Sequence, residues 1–157
     1  SIIRPATVCG ISPRMRLDVS VNMLTYQAIK NKKITIFGGS QIRPNIHIDD
    51  LISLYIFFLK EGKKYNGIFN AGFENISITN IAKNISNIIN SKLIFLKNTN
   101  DPRSYRVDSS KLLKLGFKPK KNVITAIKEI KKFYEINDIN KVKENSFSIN
   151  WLKKKVK

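Results

Sequence analysis

Sulfur and imidazole ligands are scarce in this sequence, which contains one cysteine and one histidine among 157 residues. The single thiol, Cys9, excludes an intramolecular disulfide and is too little for a cysteine-based zinc site. With one histidine, a Ser-His-Asp arrangement could arise only by coincidence, and no cluster of His, Cys and Asp has the spacing of metal ligands. We therefore expect no metal site and a reducing, cytoplasmic setting.

Long apolar runs and a glycine-rich nucleotide motif are also lacking. The longest apolar stretch, residues 51–59, is interrupted by Ser53 and falls far short of the roughly 20 residues that a membrane helix requires. Arg4 and Pro5 precede any apolar run that could serve as a signal peptide, so we expect neither a membrane segment nor a secretion signal. Gly38-Gly39 follows a predicted strand, but no predicted helix begins there, which excludes a dinucleotide-binding fingerprint at this turn.

Acidic residues are few, with 11 Asp and Glu against 29 Lys and Arg, and the formal net charge is +18. Residues 110–157 hold 14 Lys, no Arg and 4 acidic residues, which accounts for more than half of this excess. Lys128, Lys131 and Lys132 lie opposite an apolar helical stripe, as expected of a solvated face. Nucleic-acid-binding surfaces commonly present Arg and aromatic residues, and no such module is recognisable here. We therefore do not expect a nucleic-acid partner, and non-specific polyanion binding stays an alternative.

Apolar periodicity predicts strands that alternate with helices, a pattern typical of an α/β fold. The strands are predicted at residues 1–8, 34–37, 42–46, 67–70 and 93–96. The helices are predicted at residues 20–30, 49–60, 77–89, 109–115 and 123–134, with a turn at 98–102 and an extended segment at 105–108. Residues 137–157 are weakly patterned and receive no assignment.

Side-chain oxygens and one glycine mark the predicted helix ends. Asp49 or Asp50 is predicted to cap the second helix, because a carboxylate accepts hydrogen bonds from the free N–H groups of a first turn. This interpretation is favoured over a paired-carboxylate acid/base site. Ser77 or Thr79 is predicted to cap the third helix. Gly116 is predicted to end the fourth, where a positive φ is needed.

Several short motifs follow one another in a characteristic order. They are Arg4-Pro5-Ala6-Thr7-Val8-Cys9-Gly10, Ser12-Pro13-Arg14-Met15-Arg16, Phe37-Gly38-Gly39, Arg43-Pro44-Asn45-Ile46-His47-Ile48-Asp49-Asp50, Gly67-Ile68-Phe69-Asn70-Ala71-Gly72, Asp101-Pro102-Arg103-Ser104-Tyr105-Arg106-Val107-Asp108, Ser110-Lys111 and Leu115-Gly116-Phe117. Over about residues 2 to 136, their order and spacing resemble the NAD-dependent sugar-nucleotide epimerase/dehydratase family, the extended short-chain dehydrogenases/reductases. Each motif alone is weakly specific, whereas the ordered set is specific.

The resemblance implies the C-terminal, substrate-binding half of such an enzyme. Residues 2–9 and 67–70 would be late strands of the parent Rossmann sheet, the remainder of residues 1–136 a small α/β lobe, and residues 137–157 a Lys-rich extension. In the family the N-terminal half carries the glycine-rich NAD loop and the catalytic Tyr-x-x-x-Lys pair with a Ser or Thr, and we expect none of this machinery in the present chain. The chain alone is therefore expected to be inactive, with no catalytic residue.

The parent enzyme implied by the resemblance has three partners. It would use NAD or NADP bound mainly by the missing half, act on a nucleoside-diphosphate sugar, and form a homodimer. Without that half, the chain is expected to expose sheet edges and apolar faces that the parent covers.

The resemblance also implies six substrate-binding residues. Arg43 and Arg103 would hold the diphosphate and ribose, because a guanidinium presents a planar fork of donors to phosphate oxygens. Asn22 would donate to the diphosphate near a helix N-terminus, where the helix dipole also favours anions. Thr7 would lie near the reacting sugar and the nicotinamide. The remaining candidates, for sugar or phosphate contacts, are Arg14 and Arg16.

Other polar residues are expected to be structural. His47 is interpreted as a hydrogen-bonding residue at a strand end, and Cys9 as a small buried apolar residue. The alternative function is a free-standing nucleotide-sugar-binding module, which would bind a sugar nucleotide without NAD.

Overall fold

The computed structural model, which describes residues 1–61, 64–96 and 101–155, has pairs of strands separated by single helices, followed by a last strand and three helices. The strands are β1 (Ile2–Pro5), β2 (Thr7–Cys9), β3 (Lys33–Phe37), β4 (Ile42–His47), β5 (Ile68–Ala71), β6 (Glu74–Ser77) and β7 (Lys92–Leu96). The helices are α1 (Ser20–Asn31), α2 (Ile48–Glu61), α3 (Ile78–Ile89), α4 (Ser110–Leu113), α5 (Val123–Ile136) and α6 (Ser148–Lys155). The predicted α/β class is confirmed.

The strands form three small sheets within the part of the chain that the structure describes. β1 pairs with β5 and β3 with β7, both in parallel, while β4 lies between parallel β2 and antiparallel β6. The strand predicted over residues 1–8 is divided at Ala6, whose N–H donates to the Ala71 carbonyl at 2.8 Å. Its two parts therefore enter different sheets: β1 pairs with β5, whereas β2 pairs with β4. The sequence prediction missed β6, whose Glu-Asn-Ile-Ser sequence has little apolar character.

Two buried clusters attach the helices to the sheets. The first joins α1, α3 and α5 to β3, and its fully enclosed members include Val21, Ala28, Ile34, Ile81 and Ile127. The second joins α2 and α4 to β4 and the β1/β5 pair, with Ile46, Leu54, Phe69, Ala71 and Leu112 at its centre. Burying one large aliphatic or aromatic side chain contributes about 1.5–3 kcal/mol. The clusters thereby fix α1 and β4, the two elements that face each other across the cleft described below.

The predicted capping role of Asp49 and Asp50 is wrong. Both residues lie inside the first turn of α2, and the Asp49 N–H donates to Nδ1 of His47 at 3.1 Å. Asp50 is buried, and its carboxylate accepts the backbone N–H groups of Lys120 and Lys121, each at 2.9 Å. The carboxylate therefore holds the loop before α5 against α2, a long-range role that local sequence does not reveal.

The cap predicted at Ser77 and the positive φ predicted at Gly116 agree with the structure, although α4 ends at Leu113, before the predicted position. Ser77 Oγ accepts the Asn80 N–H at 3.2 Å and caps α3, and Gly116 follows α4 with a φ of +93°. The predicted turn at residues 98–102 lies mostly outside the described residues. Residues 137–157, which received no assignment, include a 3-10 turn at Glu144–Ser146 and α6.

Apolar side chains are exposed on two elements that the second cluster covers on one face only. On the β1/β5 pair, Ile3 and Phe69 pack inward, whereas Ile2 and Ile68 on the opposite face are exposed. On α2 the exposed apolar residues recur at helical spacing, at Ile52, Tyr55, Ile56 and Leu59. Parallel sheets are ordinarily covered on both faces, so this exposure has the form expected of a surface that another segment covers.

None of the helices in the described ranges has both the length and the apolar character needed to cross a membrane.

Candidate functional site

An open cleft of about 490 Å³ lies between α1 and the start of β4. Its lining comes from seven places in the chain, namely Thr7, residues 18–20, Met23 and Leu24, Thr35 and Phe37, Gln41 and Arg43, Ile78, and residues 101, 103 and 105. We call it the Arg43 cleft. Of the six predicted site residues, the cleft brings together Thr7, Arg43 and Arg103, while Asn22, Arg14 and Arg16 lie outside its lining.

Asp101 holds the two arginines of the cleft. Arg43 Nη2 donates to Asp101 Oδ2 at 2.8 Å, and Arg103 donates from Nε to Oδ1 and from Nη2 to Oδ2, each at 2.8 Å. Hydrogen bonds from the Arg103 guanidinium, with the nearby charge of Arg43, lower the pKa of Asp101 from 3.8 to about 2. Three ionised groups therefore share one edge of the cleft at neutral pH.

The two arginines differ in how firmly they are held. The Arg43 side chain is 13% exposed and also donates to the carbonyl oxygens of Ile42 and Arg103. The Arg103 side chain is 79% exposed, and its described polar contacts are to Asp101 alone. Arg43 is consequently a fixed donor in the wall of the cleft, while Arg103 is held through Asp101 and lies largely in solvent.

The N-terminus of α1 opens on the opposite wall. No side chain of the described residues caps this helix, and its first turn contains no acidic residue. Ser20 Oγ lines the same wall, is shielded from solvent, and has no hydrogen-bond partner within the described chain. By contrast, Ser77 caps α3 and Asn122 caps α5. The first-turn N–H groups and the helix dipole make this wall favourable for an anion.

Asn22 connects the loop after β2 to α1. Its Oδ1 accepts the Gly10 N–H at 3.1 Å, and its Nδ2 donates to the Arg16 carbonyl at 3.0 Å. The residue is buried, 2% exposed, on the side of α1 that faces the core. The structure thus places Asn22 where it fixes the loop, and its contact with a diphosphate stays a prediction.

Arg14 and Arg16 are also occupied by contacts within the chain. Arg14 Nη2 donates to Ser148 Oγ at 3.1 Å, and its guanidinium lies 5.6 Å from the centre of the Trp151 ring. Arg16 Nε donates to Asp18 Oδ1 at 2.9 Å. Asp18 lines the cleft, so Arg16 contacts a residue of the lining without being part of it. Arg14 contacts neither the lining nor Asp18 in any hydrogen bond of the described residues.

Sequence reasoning missed most of the polar and aromatic residues of the lining, among them Phe37, Gln41 and Tyr105. Phe37 and Tyr105 are 57% and 51% exposed at the cleft, although large aromatic rings are ordinarily buried. Gln41 is buried, donating to the Phe37 carbonyl at 2.8 Å and accepting the Gly39 N–H. An aromatic residue directly before Gly38-Gly39 was the available signal for Phe37, because it ends a strand beside a turn.

A second polar cluster lies outside the cleft, around the end of β4. His47 is fully buried, and its Nε2 lies 3.0 Å from Glu129 Oε2. Since His47 Nδ1 accepts the Asp49 N–H, the proton is on Nε2 and is donated to Glu129. Lys121 Nζ lies 2.6 Å from carboxylate oxygens of both Asp49 and Glu129.

This cluster has the residue types of a metal site, because ligand atoms of His47, Asp49 and Glu129 lie within 4.8 Å of one another. The Lys121 ammonium, however, already binds two of the three candidate ligands. These contacts raise the pKa of Lys121, first through its hydrogen bond with Asp49 and then through the one with Glu129. The cluster is therefore an ion-pair network that joins α2, β4 and α5.

The sequence does contain one Tyr-x-x-x-Lys spacing, at Tyr26 and Lys30, which corrects the expectation that this pattern is absent. Lys30 Nζ donates to Tyr26 Oη at 3.1 Å. The Tyr26 ring packs at 6.0 Å from Tyr134 and 6.1 Å from Phe147, on the side of α1 away from the Arg43 cleft. Neither residue lines the cleft, so the pair is a packing feature of α1.

Comparison with known proteins identifies a related family. Residues 1–72 match the model of the NAD dependent epimerase/dehydratase family. A UDP-glucose 4-epimerase of Lactobacillus helveticus is 32% identical over 113 residues, which cover 63% of this chain and 34% of that protein.

Two solved structures support the same relationship. The chain is similar to the UDP-glucuronic acid 4-epimerase of Bacillus cereus in complex with UDP-glucuronic acid and NAD, with 31% identity and a TM-score of 0.68, over 85% of this chain and 45% of that one. It is also similar to the UDP-N-acetylglucosamine 4-epimerase of Bacillus cereus, with 27% identity and a TM-score of 0.70, over 85% of this chain and 47% of that one. The chain thus spans about a third of the curated relative and somewhat under half of these structures.

Proposed function

We propose that this chain, which is related in sequence and fold to the NAD-dependent epimerases and dehydratases, is the nucleotide-sugar-binding part of such an enzyme. One observation carries the proposal: the uncapped N-terminus of α1 faces Arg43 and Arg103 across a single cleft. A nucleoside-diphosphate sugar is the ligand class that this arrangement fits.

The hydrogen-bond donors of the cleft suit a small, doubly charged group. A diphosphate presents adjacent anionic oxygens, which match the fork of donors on Arg43 and the first-turn N–H groups of α1. The Arg43 side chain is only 13% exposed, and its hydrogen bonds to Asp101 and to two carbonyl oxygens hold the guanidinium in place before the ligand arrives. Arg103, which is mostly exposed, would leave one of its bonds to Asp101 and close over the ligand.

The aromatic residues of the cleft suit the nucleoside. A nucleobase is flat and stacks readily on aromatic side chains. Phe37 and Tyr105 expose their rings at the cleft, beside the arginines that would hold the diphosphate. The buried amide of Gln41 fixes the turn that carries Phe37 and thereby the position of this ring.

Thr7 lies at the start of β2 and lines the cleft. We place it near the sugar, where its hydroxyl would donate to or accept from the ligand. Holding the diphosphate fixes the sugar for the rest of the enzyme, and such positioning converts an encounter between two molecules into a nearly unimolecular step.

The described residues do not form a cradle for a dinucleotide. Gly38-Gly39 leads into β4 rather than a helix, and the nearby first amides of α3, from Ile78 and Thr79, already donate to Gln41 and Gly39 carbonyls. We therefore assign NAD or NADP binding, with the hydride and proton transfers, to a part of the enzyme beyond this chain. That part would also cover the exposed residues Ile2 and Ile68. On this assignment the chain alone gives no turnover.

Polyanion binding, the alternative raised by the charge, has less support. Lys121, Lys131 and Lys154 each lie within ion-pair distance of a glutamate. Their charge is thus partly balanced within the fold, and exposed pairs of this kind respond to salt more than to a specific ligand.

The experiment that tests the proposal is a calorimetric titration of the full chain with UDP-glucose, UDP and uridine. The proposal predicts that both diphosphates bind and that uridine binds at least about tenfold more weakly, because a charge-assisted hydrogen bond contributes about 1.5–3 kcal/mol. Equal affinity for uridine and UDP would contradict a diphosphate site. A short duplex DNA serves as the polyanion comparison, and tighter DNA binding at physiological salt would favour the alternative.

The affinity for UDP-glucose should be constant between about pH 5 and pH 8. The pKa of Asp101 is lowered to about 2, so the stabilisation that its ionised form contributes is present above its ordinary value of 3.8 and is lost only as the pH falls through about 2. The Asp18 pKa is lowered as well, since hydrogen bonds from Arg16 and Ile149 outweigh the effect of burial. Titrations at three pH values check this, and an affinity that changes severalfold within this range would contradict the prediction.

A further inference from the structure

The loop between β2 and α1 forms one wall of the Arg43 cleft, through Asp18 and Val19. Its outer side is covered by residues 146–151, which are more than 120 positions away in sequence. The Leu17 N–H donates to the Ser146 carbonyl at 2.8 Å. The two segments are therefore joined directly by backbone hydrogen bonding.

Apolar packing supports the same contact. Leu17 is 1% exposed, and it forms a third buried cluster with Met15 and Ile130. Phe147 and Val142 pack against this cluster from the C-terminal side. Residues that follow α5 therefore help to bury the apolar side chains of the loop.

Asp18 links the C-terminal segment to the cleft itself. Its Oδ1 accepts Arg16 Nε at 2.9 Å, and its Oδ2 accepts the Ile149 N–H at 3.2 Å. Ile149 lies in the first turn of α6, so the Asp18 carboxylate serves as the cap of that helix. Both oxygens of a carboxylate that lines the cleft are thereby turned to partners within the chain.

Arg14 provides the outermost contact. Its guanidinium donates to Ser148 Oγ at 3.1 Å and lies 5.6 Å from the centre of the Trp151 ring. The loop is consequently held at three successive points, Arg14, Leu17 and Asp18, by one short stretch of chain.

We propose that residues 146–151 act as a clamp that positions the loop wall of the Arg43 cleft and keeps the Asp18 carboxylate turned away from the ligand. This inference rests on the proposed function, since it assigns a determinant of affinity to the same site. An unrestrained carboxylate two residues before the N-terminus of α1 would compete with an anionic ligand for the first-turn N–H groups. By holding Asp18, the clamp leaves those groups to the diphosphate.

The variant Ile149→Pro tests the clamp with little other change. Proline fits the first turn of a helix, and Ile149 is exposed, so the substitution mainly removes the N–H that Asp18 accepts. Asn150→Pro is the matched control, because it also places proline in the exposed first turn of α6 but leaves the Ile149 N–H intact. Both variants are made in the full chain.

The first measurement is the rate at which trypsin cleaves the ligand-free protein after Arg14 and Arg16. Mass spectrometry of the products gives this rate for each site. We expect cleavage in Ile149→Pro to be about tenfold faster than in the wild type and in Asn150→Pro, because a hydrogen bond to a charged group has been lost. Equal rates in all three proteins would overturn the clamp. This readout does not depend on whether the cleft binds a nucleotide.

The second measurement is the affinity for UDP. We expect Ile149→Pro to bind UDP about three- to tenfold more weakly, and Asp18→Asn in the Ile149→Pro background to recover most of the loss, because the competing charge is gone. Faster cleavage with unchanged UDP affinity, or no recovery by Asp18→Asn, would overturn the positioning role. If the wild type fails to bind UDP, the proposed function fails and the cleavage rates still decide whether the clamp exists.

Discussion

Replacing Arg43 by alanine is expected to weaken binding of UDP-glucose by roughly 30- to 150-fold, equivalent to about 2–3 kcal/mol. Arg43 is the firmly held cation of the cleft, fixed by Asp101 and by two carbonyl oxygens. Its guanidinium is therefore arranged for the ligand before binding, and little ordering entropy is lost when the diphosphate arrives. Calorimetric titration of the variant measures the effect.

Three comparisons separate this effect from a general loss of positive charge. Arg4→Ala removes an exposed arginine of β1 outside the cleft lining, and it should leave the affinity unchanged. Arg103→Ala should lower the affinity less than Arg43→Ala, because the Arg103 side chain is 79% exposed. Arg43→Lys retains the charge but loses the planar fork, so we expect an intermediate affinity. An affinity for Arg43→Ala equal to that of Arg4→Ala would contradict the site.

Substituting Gly39 by alanine is expected to destabilise the chain by about 2–6 kcal/mol, since two unfavourable effects of about 1–3 kcal/mol each combine. Gly39 has a φ of +117°, which a residue with a side chain rarely adopts. An added Cβ would also overlap Oγ1 of Thr79 in the first turn of α3. Because the turn joins β3 to β4 and so positions Phe37 and Arg43, ligand affinity should fall as well. Urea-induced unfolding measures the stability.

Two further variants separate backbone strain from steric overlap. Gly116 has a φ of +93°, and an added Cβ would meet no atom within 4 Å. Gly116→Ala should therefore destabilise the chain by only about 1 kcal/mol, the effect of the backbone alone. In the Gly39→Ala background, Thr79→Ala removes the overlapping oxygen and should restore about 1–3 kcal/mol. Equal losses for Gly39→Ala and Gly116→Ala, with no restoration, would mean that the contact with Thr79 is unimportant.

Elements with a strong apolar pattern could be predicted from the sequence, and elements defined by pairing could not. The helical spacing predicted α1 and α5 to within a few residues, because the apolar stripe that forms each helix is also the face that it buries. β6 is polar and exists through its hydrogen bonds to β4, so local pattern did not reveal it. The local sequence around Asp50 is typical of a helix cap. Its actual partners, the N–H groups of Lys120 and Lys121, are 70 and 71 positions away and could not be inferred from that pattern.

The candidate site was predictable to a similar extent. Arg43 and Arg103 belong to motifs with a definite order, and both line one cleft. Arg14 belongs to such a motif too, yet Ser148 and Trp151 bind its guanidinium, and the segment that contains them had no assigned structure. The direction of the Asp18 carboxylate is set by hydrogen bonds from Arg16 and from Ile149, and no local pattern reveals the second of these. Motif order thus indicated the ligand class that we propose, while side-chain direction depended on distant residues.

The most direct test of a nucleotide-sugar site is a crystal structure of the chain with UDP. We expect the diphosphate to lie between the Arg43 guanidinium and the first turn of α1, within hydrogen-bond distance of both, with the base against Phe37. Occupation by UDP of another surface, with the Arg43 cleft left empty at a saturating concentration, would contradict it.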